Sequence, residues 1–268
     1  MRAAAFMKAA AVAKTLLQTE GLTRRFGGLV PANAITLDVA VDEIHAVIGP
    51  NGAGKTTLIG LLSGEIIPHA GIIRFDGADI TQLSVYRRSH LGLARSFQIT
   101  SLFNDFTALD NVALAVQAHR GHSFRFWRDA RGEAELRKPA LAALDRVGLS
   151  ERAGVRVDKL SHGEHRQLEI AIALATEPRL LLLDEPMAGM GPEESAKMVR
   201  LLRQLKGSVA ILLIEHDMEA VFVLADRLTV LAEGRIIASG RPETIRADAG
   251  VRQAYLGERD HGAGRGGG

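Results

Sequence analysis

The sequence predicts an α/β fold built around a phosphate-binding loop, and three stretches predict it. Gly49-Pro-Asn-Gly-Ala-Gly-Lys-Thr-Thr57 matches Gly-x4-Gly-Lys-[Ser/Thr], the Walker A loop, with an apolar strand before it and a helix after it. Arg179-Leu-Leu-Leu-Leu-Asp-Glu-Pro186 reads as a buried strand with two carboxylates at its carboxyl end, where ligands of open α/β sheets bind. Val209-Ala-Ile-Leu-Leu-Ile214 is a further buried strand, and it ends in Glu215-His216-Asp217.

Size and composition bound the answer. A chain of 268 residues is long enough for one large domain, or for one domain carrying a sub-domain. Hydrophobic residues at 47% and charged residues at 24% are an ordinary globular balance. Lys plus Arg is 33 and Asp plus Glu is 31, a net charge of +2, too small to argue for a nucleic-acid partner. There is no cysteine, hence no disulfide and no thiolate metal site, as suits a reducing compartment. No apolar run approaches the roughly 20 residues that span a bilayer.

Each element follows in order. Residues 1–14 are Ala-rich and basic, and Lys8 interrupts the apolar part, so a floppy or briefly helical extension is expected rather than a signal peptide. Met7 is an alternative start. Leu16-Leu-Gln-Thr-Glu-Gly21 and Ile35-Thr-Leu-Asp-Val-Ala-Val41 read as strands, the second alternating with period two and so exposed on one face. Phe26, in the segment between them, is either a packing residue or a platform for a base. Ile44-His-Ala-Val-Ile48 is a buried strand leading into the loop. Glycines at 49, 52 and 54 let the loop curl so that N–H groups of Gly49, Pro50-flanking Asn51, Gly52, Ala53 and Gly54 face inward at a helix N-terminus, a ready site for phosphate. Lys55 can reach the β- and γ-phosphates, the Thr56 hydroxyl that completes the motif can ligate magnesium, and Thr57 follows it.

Beyond the loop, Asp76-Gly77 marks a hairpin after a β-rich run. Arg87, Arg88 and Arg95 form a basic stretch ending in Ser96-Phe-Gln98. Apolar spacing then turns helical, with Leu109, Val112, Leu114 and Val116 on one helix and Leu136, Leu141, Leu144 and Val147 on another, so residues 99–165 read as an inserted helical sub-domain. His122-Ser-Phe-Arg-Phe-Trp-Arg128 within it is read as a local cluster under a loop rather than a partner patch. Asp184 fits the Walker B position that holds magnesium, and Glu185 beside it can polarise a water. His216 is either structural or within reach of a γ-phosphate. A hairpin is expected around Glu233-Gly234, and the Gly-rich tail, 259–268, is expected to be disordered.

Together these motifs resemble an ABC-transporter ATPase subunit across residues 15–258. Leu160-Ser-His-Gly-Glu164 resembles the signature sequence Leu-Ser-Gly-Gly-Gln, and Arg166-Gln-Leu-Glu-Ile-Ala171 follows it. The resemblance implies a P-loop NTPase with a RecA-like core, an antiparallel β region and the helical sub-domain. It puts Phe26 at the adenine, Gln98 in the loop that senses magnesium and γ-phosphate, and His216 at the switch-histidine position. Ser161 and Gly163 are then implied to meet the γ-phosphate of a second subunit. ATP and Mg2+ are the implied ligands. The implied partners are a second ATPase subunit, two membrane permeases and, through them, a periplasmic solute-binding protein, at the cytoplasmic face of a bacterial inner membrane.

Two departures stand out. His162 and Glu164 replace the usual Gly and Gln, and Ala188-Gly-Met-Gly191 replaces Ser-Ala-Leu-Asp, removing an aspartate that normally contacts the facing subunit. These variants, with Met187-Ala-Gly-Met-Gly-Pro192, Glu215-His-Asp-Met218, Ala254-Tyr-Leu-Gly-Glu258 and Ser101-Leu-Phe-Asn-Asp-Phe-Thr-Ala-Leu-Asp-Asn111, resemble the branched-chain amino acid importer branch. Importers of urea or amides, and lipopolysaccharide export, are the alternatives. A translation factor would carry two cassettes, and a repair ATPase a coiled coil or zinc cysteines; neither pattern is present.

Overall fold

The computed structural model describes residues 14–96, 102–121 and 134–251. The chain begins with β1 (Thr15–Phe26), β2 (Leu29–Ala40), β3 (Ile44–Ile48), α1 (Lys55–Ser63), β4 (Ala70–Phe75), β5 (Ala78–Asp79), α2 (Val85–His90) and β6 (Leu93–Arg95). It continues with α3 (Ala108–Arg120), α4 (Ala134–Arg146), α5 (His162–Leu174), β7 (Leu180–Asp184), α6 (Pro192–Leu205) and β8 (Ala210–Ile214). The last elements are α7 (Met218–Leu224), β9 (Arg227–Ala232), β10 (Arg235–Gly240), α8 (Pro242–Ala247) and α9 (Ala249–Val251).

Two sheets result. One is antiparallel, in the order β2-β1-β4-β5; the other runs β10-β9-β3-β8-β7-β6. In the second, β6, β7, β8, β3 and β9 are parallel and β10 closes the edge antiparallel to β9. The expected α/β class with an antiparallel region is therefore present. The leucine run of β7 shows why. Leu180 and Leu182 pack with α1 and the antiparallel sheet, while Leu181 and Leu183 pack with residues of α3, α4, α5 and α6. A strand covered on both faces needs apolar side chains at every position, which is why it reads as a continuous run. On β2 the alternation of buried and exposed residues leaves one face to solvent, as its period of two predicts.

The first two strands are longer than their apolar runs. β1 continues through Arg24 and Phe26, pairing Arg24 with Ala32 and Phe26 with Leu29, and register shifts absorb the irregular residues. Thus Phe26 ends a strand instead of lying in a loop. The strand β6 was not expected; three residues between a turn and a polar segment carry no period. Its pairing with β7 puts Arg95 opposite Leu182.

Two buried polar residues tie the layers. Arg88 is fully buried and donates to the carbonyls of Leu61 and Leu62 (both 2.7 Å), Leu83 and Thr81. It thereby caps the last turn of α1, whose carbonyls have no partner within the helix. His45 of β3 is fully buried, with Nδ1 3.1 Å from the Asp38 carbonyl and Nε2 2.8 Å from Thr229 Oγ1. Burial pushes its pKa down to about 4, so the ring is neutral at pH 7.

The parallel register sets the site. Val47 of β3 and Asp184 of β7 both face Ile214 of β8. The carboxyl ends of β3, β8 and β7 therefore lie side by side, and each leads directly into one of the sequence motifs.

Candidate nucleotide site

The loop after β3 is held open by close backbone approach. Gly54 ends it at φ 104 as the residue before α1, and a Cβ there would lie 1.9 Å from the Pro31 carbonyl oxygen. A Cβ on Gly49 would lie 2.1 Å from the Leu231 carbonyl oxygen. Both positions thus demand glycine, the first also for its left-handed backbone. The Ala53 carbonyl accepts from Gly234 N–H (2.9 Å), and Asn33 N–H donates to Gly234 (2.8 Å), so β2 and the β9–β10 turn buttress the loop. Asn51 and Gly52 stay exposed at its crest, Pro50 is half-buried, and Thr56 and Thr57 follow on α1.

Lys55 opens α1 and is only 7% exposed. Its Nζ donates to the carbonyls of Gly49 (2.7 Å) and Pro50 (3.0 Å), which centres the ammonium over its own loop. Burial lowers its pKa, opposed by the negative charges of Glu185 and Asp184. The structure thus brings Lys55 and both strand-end carboxylates together. Asp184 is buried, and burial raises its pKa; Arg95 and Lys55 oppose the rise, and Glu185 adds to it. Arg95 Nη2 donates to Asp184 Oδ2 (3.3 Å) and its other arm pairs with Glu65. In the sequence Arg95 is one residue of a basic stretch, with nothing local that points to Asp184.

Glu185 adopts φ 49, a left-handed conformation rare for a side chain this long. Its N–H donates to the Ile214 carbonyl (2.9 Å), which ties this turn to the end of β8. Its Oε1 lies 3.9 Å from Nδ1 of His216, so the two groups are neighbours across adjacent strand ends. Phe26 is 45% exposed at the tip of β1, with the Arg24 guanidinium 4.7 Å from its ring centroid. It shares a hairpin with Pro31, the residue that touches Gly54. Gln98 lies outside the described residues.

A model of the ABC transporter family matches residues 32–188. This chain belongs to the ABC transporter family. A second model, of the branched-chain amino acid ATP-binding cassette transporter, matches residues 235–261 of this ABC protein. Among curated relatives, the high-affinity branched-chain amino acid transport ATP-binding protein BraF of Pseudomonas aeruginosa is 39% identical over 254 residues, covering 92% of this chain and all of the relative. The corresponding LivG of Escherichia coli is 37% identical over 259 residues, with the same coverage. A solved ADP conformation of an ATP-binding cassette from an ABC transporter superposes with a TM-score of 0.81 at 28% identity, covering 91% of this chain and 99% of that one. A nucleotide-free cassette from an ABC transporter gives 0.80 at 27%, covering 90% and 98%.

In this ABC protein the segment that resembles the signature opens α5. Ser161 is the N-cap of α5 and Gly163 sits in its first turn; both line a groove of about 390 Å³ with Glu194, Lys197 and Met198 of α6. No residue of the phosphate loop lines that groove. The departure at Glu164 has a local reason. Ser161 Oγ accepts from Glu164 N–H (3.2 Å) and Glu164 Oε2 accepts from Ser161 N–H (2.8 Å), a capping box that a carboxylate closes as well as an amide. Glu164 also pairs with Arg152 at 2.9 Å. Although burial acts to raise its pKa, these hydrogen bonds and the Arg152 charge leave it lowered. Ser-x-x-Glu is visible in the sequence, so the signal was there to be read. His162 Nε2 lies 3.1 Å from the Ala188 carbonyl, a contact that requires the ring N–H and joins the signature to the altered segment after Glu185.

Proposed function

We propose that this chain is the ATP-hydrolysing subunit of an importer of branched-chain amino acids, acting at the cytoplasmic face of a bacterial inner membrane. The observation that carries the chemistry is the meeting of Lys55, Asp184, Glu185 and His216 on three neighbouring strand ends. Phosphoryl transfer to water asks for positioning and charge neutralisation rather than covalent chemistry. Backbone N–H groups of Gly49, Asn51, Gly52, Ala53, Gly54 and Lys55, with Thr56 and Thr57 behind them, receive the phosphates at the start of α1. Lys55 neutralises the terminal phosphates, Glu185 accepts the proton of the attacking water, and His216 contacts the γ-phosphate. Phe26 offers its exposed face to the adenine.

The donor set suits Mg2+. Asp184 is a buried carboxylate whose pKa burial raises, Thr56 adds a hydroxyl, and Gln98 joins them by resemblance. Hard oxygen donors in small number are what magnesium takes when phosphates complete its shell. When bound, the ion neutralises charge on the phosphates.

We read the chain as an ATPase domain over residues 15–258 carrying a helical sub-domain over about 99–165. Because Ser161 and Gly163 line a groove to which no phosphate-loop residue contributes, a second subunit is the natural source of the signature that closes the site. Two subunits then enclose two nucleotides head to tail, and closure is the ATP-driven change of state. A related cassette, 22% identical, was solved as a dimer bound to ADP and Pi.

The permease contact falls on the segment after Gln98. Phe103 is 57% exposed and stacks on Phe106 with centroids 5.3 Å apart, while Leu102 packs against the core. Asn111 of α3 fixes the Phe103 backbone on both sides, accepting from its N–H (2.9 Å) and donating to its carbonyl (3.1 Å). The backbone is rigid and the ring is displayed, as a docking residue requires. Two permeases supply the pore, since no helix among the described residues is long and apolar enough to cross a membrane. A periplasmic binding protein delivers solute through them, and no nucleic acid takes part.

The solute rests on the relatives. ATP-driven uptake of labelled leucine, isoleucine and valine into vesicles holding this subunit, its permeases and its binding protein tests it. Uptake of urea or another solute instead would overturn the substrate and keep the ATPase. Hydrolysis stimulated by nucleic acid without a membrane partner would overturn the transport reading.

A further inference from the structure

Glu215 follows β8 and is 1% exposed, yet nothing in the chemistry above uses it. Its carboxylate has no lysine or arginine partner among the described residues; it is satisfied by backbone. Oε1 accepts from Met187 N–H (3.0 Å), and Oε2 accepts from His216 N–H (3.0 Å) and Asp217 N–H (3.4 Å). One arm therefore holds the turn that begins at Glu185, and the other holds the turn that carries His216. The His216 ring is also close to it, with Nδ1 3.8 Å from Oε2. The Glu185 turn has one other tie to β8 among the described residues, Glu185 N–H to the Ile214 carbonyl at 2.9 Å.

We propose that Glu215 is a positioning residue for ATP hydrolysis, a buried carboxylate that fixes Glu185 and His216 relative to one another by bonding the backbones of both turns. This rests on the reading of Glu185 and His216 as the groups at the γ-phosphate. The physical argument is that a left-handed Glu185 needs its turn held from outside, because nothing in its own backbone preference keeps it there. A carboxylate has acceptor capacity for all three N–H groups and no donor to oppose them. An amide at the same place turns an N–H2 toward one of the two turns and must release it. Displacing a reacting group by about 1 Å costs on the order of 100-fold in rate.

The test uses the purified full-length protein with MgATP. Glu215→Gln should lower kcat by about 10- to 100-fold while the ATP dissociation constant stays within about 2-fold, because the phosphate loop does not contact this carboxylate. Glu215→Asp keeps the charge but is one methylene short, so it should retain a kcat between the two. The decisive readout is coupling. In a His216→Ala background, Glu215→Gln should cost clearly less than in the wild type, because one of the two groups it positions is already gone. If the losses multiply in full, or if ATP affinity falls as much as kcat, Glu215 merely supports the fold and the inference is overturned. Should Glu215→Gln fail to fold, Glu215→Asp and its combination with His216→Ala carry the same comparison. If His216→Ala and Glu185→Gln themselves leave hydrolysis unchanged, the reading of the site fails instead.

Discussion

Removing the titration of His45 should flatten the acid sensitivity of the fold. His45 is fully buried on the strand that launches the phosphate loop, and its pKa falls from the ordinary 6.5 to about 4. Burial is the main cause; the Arg227 charge adds to it, and Glu43 and Asp38 oppose it. The unfolded chain protonates this ring near pH 6.5 and the folded chain only near pH 4, so between those values the unfolded state binds more protons. Stability is therefore fully present above pH 6.5 and is lost as pH falls toward 4. At 1.36 kcal/mol per unit the full loss is about 3 kcal/mol, and about 2 kcal/mol has gone by pH 5. His45→Gln keeps an amide facing Asp38 and Thr229 but does not titrate. Urea melts of both proteins at pH 7 and pH 5 give the comparison. Asp184, Glu169 and Glu215, whose pKa values burial raises, contribute the opposite slope to both proteins and cancel in the difference. The wild type should lose about 2 kcal/mol more than the variant between the two pH values. Equal slopes would mean that the ring is protonated inside the fold, and would refute the reasoning.

Other changes have equally definite outcomes. Gly54→Ala should abolish ATP binding, measured by calorimetry, because a Cβ meets the Pro31 carbonyl at 1.9 Å and φ 104 is forbidden to it. Gly163→Ala should fold, since its Cβ meets only the movable tip of Glu194 at 2.9 Å, yet it should weaken ATP-driven dimers seen by light scattering of a Glu185→Gln background. Glu164→Ala should destabilise the protein by about 1 kcal/mol in thermal melts through loss of the capping box, whereas Glu164→Gln should cost less. Phe103→Asp should leave ATP affinity near that of the wild type and uncouple uptake in the reconstituted transporter, because an aspartate does not enter an apolar groove without a desolvation cost.

What the sequence made legible is what chemistry forces into local patterns. The phosphate loop needs glycine at 49 and 54 because carbonyls of Leu231 and Pro31 crowd them, so the motif survives as a string. Asp184 and Glu185 announce themselves because a strand buried on both faces must be apolar up to its last residues. The hairpins at Asp76-Gly77 and Glu233-Gly234 were legible from their turn residues, and both pairs adopt positive φ. Less was legible where a residue works through distant backbone. Arg88 caps α1 from 26 and 27 residues away, and Glu215 reaches Met187 across 28, distances at which spacing carries no information. Arg95 read as one basic residue among several, because only the pairing of β6 with β7 reveals its approach to Asp184. The cluster at 122–128, Gln98 and the segment Ala254-Tyr-Leu-Gly-Glu258 lie outside the described residues.

The central claim is that Glu185 takes the proton from water at a phosphate held by Lys55. Single-turnover hydrolysis of MgATP by Glu185→Gln, alongside its ATP binding, tests this most directly. The amide cannot take up a proton, so binding should remain within about 2-fold of the wild type while the rate of phosphate formation falls by on the order of 100-fold or more. A Glu185→Gln protein that releases phosphate at the wild-type rate would contradict the assignment of the base and the site built around it.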